Sequence, residues 1–219
     1  MKLKKIASLA LAGIMAVSML TACGEGTGNG NSGSSSSEPT APAGYTATVY
    51  AELSKTTKDI LKTKENSVVT DMANAAKAAY KAEFYKGLFE LSGKTMEYQV
   101  AAGQGTSLSE MSTILTAVKN EAGSNYVLVS ETSATDLSYP TTDGNVNVAV
   151  YAFDADMTEN NINKFVAGFV TDAMDGVTTN NSGADTKNYY LTADKVTAGV
   201  GQNSITFVVV AIEYDLVKA

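Results

Sequence analysis

Histidine, arginine and tryptophan are absent from all 219 residues, and cysteine occurs once, at Cys23. Each absence removes a chemistry. Without histidine, neither a serine nor a cysteine nucleophile can be paired with an imidazole base, and a histidine-built zinc site cannot form. Without arginine there is no planar fork to clamp a phosphate or a carboxylate at two points. A single thiol cannot close an intramolecular disulfide, so the stability of any folded part must come from packing. Neither Ser-x-x-Lys nor Gly-x-Ser-x-Gly occurs, which leaves no signature of a serine–lysine pair or of a nucleophile elbow. Gly87 to Gly93-Lys94-Thr95 has one residue too many between its glycines for a phosphate-binding P-loop, and it lies between a helix and a strand in the wrong order.

Positive charge is also scarce. The chain carries a net charge of −7, all 23 acidic residues follow Cys23, and three of the 16 lysines precede it, so the part after Cys23 is the more acidic. Such a surface is repelled by nucleic acid and by anionic headgroups, and nucleic acid is not an expected partner.

What is present begins with an address. Lys2, Lys4 and Lys5 precede the apolar run Ile6 to Leu20, which is short for a membrane-spanning helix and fits a signal peptide. The run ends in Leu20-Thr21-Ala22-Cys23. This tetrad resembles the lipobox of bacterial lipoproteins. The resemblance implies cleavage before Cys23, a diacylglyceryl thioether on its sulfur, and attachment to membrane lipid on the extracytoplasmic face of the cell membrane. An anchor of two or more acyl chains is lasting where one chain is only reversible.

Residues 24–44 are rich in Gly, Ser, Asn and Pro, a composition unable to bury enough surface to offset ordering entropy. As a Gly/Ser coil this stretch would reach about 25 Å. The expected organisation is a signal peptide over 1–22, lipidated cysteine and linker over 23–44, and one α+β domain over 45–219.

Within that domain, apolar spacing predicts helices over 48–62 and 67–91, the second stopped by Gly93. A strand follows from Met96, then a helix opened by the capping box Ser107-Leu108-Ser109-Glu110, then strands over 126–130 and 146–153. Thr158 opens a helix with an apolar stripe through Ile162, Val166 and Val170, closed at Asp175-Gly176. Two strands, 189–198 and 204–214, flank the turn 199–203, and the apolar run Ile205 to Ile212 reads as a central strand. The expected fold is α+β: two helices, then β-α-β-β-α-β-β, a mostly antiparallel sheet with helices on one face. Its middle resembles the split β-α-β arrangement of ferredoxin-like sheets.

Two places could hold a ligand. Gly103 and Gly105, with Thr106 and Ser107, lie between a strand and a helix N-terminus, where backbone N–H groups can hold an anion or carboxylate, or form a plain turn. Asp154, Asp156 and Glu159 cluster at a strand-to-helix joint and could bind a metal such as Ca²⁺, act as acid and base, or favour the helix N-terminus by charge alone. The spacing is not that of a twelve-residue calcium loop, since Phe165 stands at its last position. Eleven tyrosines, including Tyr139 and the adjacent Tyr189 and Tyr190, could pack the core or form a contact surface.

These features lead to an expected lipid-anchored, non-enzymatic module that binds a protein or an envelope polymer, with no cofactor. Capture of a small anion, carboxylate or Ca²⁺ is the alternative, and acid–base catalysis by Asp154 and Asp156 a third reading.

Overall fold

The computed structural model describes residues 43–90, 97–100, 109–129, 144–180 and 187–216. All belong to the unit Glu38–Ala219. The leader, Cys23, the linker up to residue 42 and the stretch Gly103 to Ser107 lie outside the described residues.

The first expected helix is broken in two. Helix α1 (Gly44–Glu52) ends where Leu53 turns extended to bury its side chain, and α2 (Lys55–Ile60) restarts at once. Ser54 makes the break, because its hydroxyl accepts the Thr57 N–H and caps α2 instead of continuing α1. Leu61–Thr63 then forms β1, a strand that periodicity had folded into the helix. Helix α3 (Ser67–Ala79) starts on an Asn66 cap and stops at Tyr80, which leaves helical geometry and donates its hydroxyl to Asn203 C=O at 2.6 Å. A single π-helical turn, Lys86–Glu90, occupies the end of the expected helix.

Strand β2 (Glu97–Val100), helix α4 (Ser109–Glu121), strand β3 (Tyr126–Leu128) and strand β4 (Val146–Asp154) follow in the expected order. Helix α5 (Glu159–Asn180) runs through Gly176 instead of stopping there. Strand β5 (Lys187–Ala198) and strand β6 (Ile205–Leu216) enclose a 3₁₀ turn at Gly201–Asn203. Gly199 opens that turn at φ +80°, a left-handed position open to glycine at little cost.

The fold is α+β, with a mixed sheet ordered β1-β5-β6-β4-β2. Strands β5, β6, β4 and β2 pair antiparallel. β1 lies parallel to β5, and β3 parallel to the first residues of β4. Strand β6 is central, as its apolar run predicts.

Two expectations are corrected. The sheet is covered on both faces, not one. Tyr151, Phe153, Leu191, Val208, Val210 and Ile212 face α1 and α5, while Val148, Val150, Ala152, Phe207 and Val209 face α3 and α4. The reason lies in β4 and β6, whose continuous apolar runs are buried throughout and need cover on either side. The ferredoxin-like order is also absent. β2 and β3 share one edge of β4, β3 parallel along Val146–Val148 and β2 antiparallel along Val150–Phe153, so no strand is inserted between them.

Candidate functional site

The joint between β4 and α5 is the one predicted site that falls among described residues, and its three carboxylates go separate ways. Asp154, the last residue of β4, is buried. Tyr85, just ahead of the π-helical turn, donates its hydroxyl to one carboxylate oxygen at 2.7 Å, and the Asp156 N–H donates to the other at 2.9 Å. The second bond is an Asx turn that steers the chain from strand to helix. Asp156 itself is exposed. Glu159, in the first turn of α5, is solvent-facing and accepts a bond from Lys195 Nζ on β5. That hydrogen bond, reinforced by the ammonium charge, holds the Glu159 carboxyl below the usual carboxylate range.

A shared cleft lined by Asp154 and Asp156, which acid–base catalysis needs, is not what this geometry builds. Among the described residues no group of three His, Cys, Asp or Glu side chains stands close enough to hold a metal ion. Charge at the start of α5 and an inward hydrogen bond at the end of β4 account for these residues as parts of the fold.

Lys195 and Tyr45 are the participants that sequence reasoning missed. Lys195 projects from β5 on the same face as Leu191 and Ala193, over the Tyr45 ring at 4.9 Å from its centre. A lysine in phase with the apolar side of a strand is the signal that could have marked it. Burial, and then the charge of Glu159, push the Tyr45 phenol well above its ordinary range. Its hydroxyl is buried with no hydrogen-bond partner among the described residues, as is Asn163 Oδ1 one turn along α5 from Glu159. Tyr85 has no sequence signal of its own.

A second polar group lies at the opposite end of β5 and β6. Lys64, just past β1, pairs with Glu213 at 2.6 Å and lies 5.5 Å from the centre of the Tyr190 ring. Burial works against its charge, but the bond to Glu213 and the charges of Glu213, Asp215 and Tyr190 outweigh it and raise the Lys64 pKa. Thr192 donates to Lys64 C=O at 2.6 Å, tying the segment after β1 to β5. Tyr126 and Asn66 exchange hydrogen bonds at 2.9 and 3.0 Å, which fixes β3 against the start of α3. Of the adjacent tyrosines, Tyr189 stacks on Tyr214 inside the sheet face under α1 and α5, so it is core; Tyr190 is half-buried on the opposite face.

No family model, curated protein or solved structure matches the chain. No described helix is long and apolar enough to cross a membrane.

Proposed function

We propose that this chain is a lipid-anchored extracytoplasmic lipoprotein whose folded unit binds a protein or an envelope polymer and does not catalyse a reaction. The observation that carries the reading is Leu20-Thr21-Ala22-Cys23, placed after a basic and apolar leader and before a polar linker. The inward bonds of Asp154 and the Glu159–Lys195 pair support the second half, because they account for the joint's charges without a substrate.

Mass spectrometry of the mature N-terminus tests the anchor, with a diacylglyceryl group on Cys23 as the expected result. Cys23→Ala is expected to leave the leader uncleaved and to abolish labelling by a fatty acid. A free thiol at Cys23 in the membrane-associated protein would overturn the anchor. A hydrolase or transferase turnover of the purified chain, abolished by one substitution, would overturn the binding reading while leaving the anchor standing.

A further inference from the structure

Thr46 and Tyr45 fix where the chain enters the folded unit. The Thr46 hydroxyl donates to Ala193 C=O and accepts from Ala193 N–H, each at 2.9 Å, and Tyr45 lies under the Lys195 ammonium, which also holds Glu159. From there α1 and α2 lead away to Leu61, which pairs with Tyr189 toward the other end of β5. The residues ahead of α1 therefore join the unit at the end of the sheet where α5 starts. The turn between β5 and β6 lies at that same end. Ala198 pairs with Ile205, and Ile205 with Asp154, so residues 199–203 project past the last rung of three strands.

That turn holds an aliphatic side chain out in water. Val200 is 87% exposed, against 42% for Val127, the other exposed large apolar side chain among the described residues. Its flanking glycines are left-handed, Gly199 at φ +80° and Gly201 at φ +63°, and Val200 between them is extended. The Ser204 N–H and hydroxyl both donate to Gly201 C=O, at 3.1 and 2.8 Å, and Tyr80 holds Asn203 C=O. A tip tied down in this way needs no further ordering when it meets a surface. No residue from Val196 to Ile212 is charged, in a chain of net charge −7.

We propose that this turn docks on the membrane that holds the chain, with Val200 set into the boundary between headgroups and acyl chains, so that the Asp154 end of β4 faces the bilayer and the Val146 end faces away. The inference rests on the lipid anchor at Cys23. Residues 24–44 as a coil would reach about 25 Å, so the end of the unit where they join is brought to the headgroups first. One aliphatic side chain binds no membrane by itself. Within the reach of a tether, however, the bilayer is present at an effective concentration in the millimolar range, where a weak contact is enough to set orientation. The uncharged tip also avoids the repulsion that the acidic remainder of the chain meets at a membrane surface.

The test uses the lipidated chain in phosphatidylcholine vesicles. The sequence has no cysteine besides Cys23, whose sulfur carries the lipid, so Gln202→Cys or Ser124→Cys supplies a single thiol for a fluorophore. Both positions are exposed, Gln202 in the turn and Ser124 just ahead of β3, which pairs with the opposite end of β4. β4 itself spans about 27 Å from Val146 to Asp154, enough to separate the two labels.

Flotation with the vesicles reads the anchor, and quenching by a nitroxide on the lipid acyl chains reads the docking. Quenching is expected to be at least about threefold stronger for the label at residue 202 than for the label at residue 124. Adding Val200→Asp to Gln202→Cys is expected to lower its quenching to the level at residue 124, with the protein still floating. A chain that floats with equal quenching at the two positions, or whose quenching at residue 202 survives Val200→Asp, overturns the docking and leaves the anchor standing. A chain that does not float overturns both.

Discussion

A methyl group placed on Gly199 would meet Asn203 O at 2.6 Å and Tyr80 Cε1 at 3.0 Å, at a backbone angle that L side chains rarely adopt. Neither neighbour is free to move, since the Tyr80 hydroxyl is bonded to that same Asn203 carbonyl. Gly199→Ala is therefore expected to cost about 2–3 kcal/mol, read as a lower denaturation midpoint.

Tyr80 itself carries a pH dependence. Burial raises its phenol from an ordinary value of 10.0 to about 12. A group whose folded value is raised adds stability that is whole below its unfolded pKa and is lost as pH rises through the folded one. Stability is thus expected to decline between pH 10 and about 12 as this group is drawn into ionisation. Tyr80→Phe should flatten that alkaline limb in denaturant titrations across the range. An unchanged slope would show that the alkaline loss comes from other groups.

At the scale of elements, β6 puts neighbouring residues into separate cores: Val209 packs under α3 and α4, Val210 under α1 and α5. Both are fully buried, so Val209→Ala and Val210→Ala should each cost about 2 kcal/mol, measurable by chemical denaturation. A much smaller loss at one of them would mean that its face is loosely packed.

The same strand explains what the sequence made legible. Long stripes such as Ile162, Val166 and Val170, and the unbroken run Ile205 to Ile212, carry enough periods to declare α5 and a central strand. The three residues of β1 carry none. β1 is visible only through its pairing with β5, and the break between α1 and α2 rests on one serine hydroxyl competing for a backbone N–H. Two-sided cover of the sheet was implicit in the apolar run of β6, since a strand wetted on one side would alternate.

The candidate site divides in the same way. The acids at Asp154, Asp156 and Glu159 lie close together in sequence, so their grouping was readable. Their partners Tyr85 and Lys195 come from elements far along the chain, and only the fold brings them there.

For the molecule as a whole, the two cores are not separable parts. Strands β4, β5 and β6 contribute side chains to both, on alternating residues, so neither core can dissolve without stripping the sheet from the other. Val209→Ala and Val210→Ala are accordingly expected to lower one and the same thermal transition, with calorimetric and van't Hoff enthalpies agreeing. Two resolved transitions, each sensitive to one substitution, would contradict this.

The middle position of β6 reaches into biosynthesis. It comes after every other described element in the chain, yet β5 and β4 both lean on it. A ribosome delivers the keystone after the stones it locks, so the earlier segments have no finished sheet to join until Ile205 and its successors emerge. Until that moment the nascent polypeptide is expected to stay short of its native sheet, and a chain broken off ahead of Ile205 is expected to fail to fold, read as loss of the cooperative thermal transition.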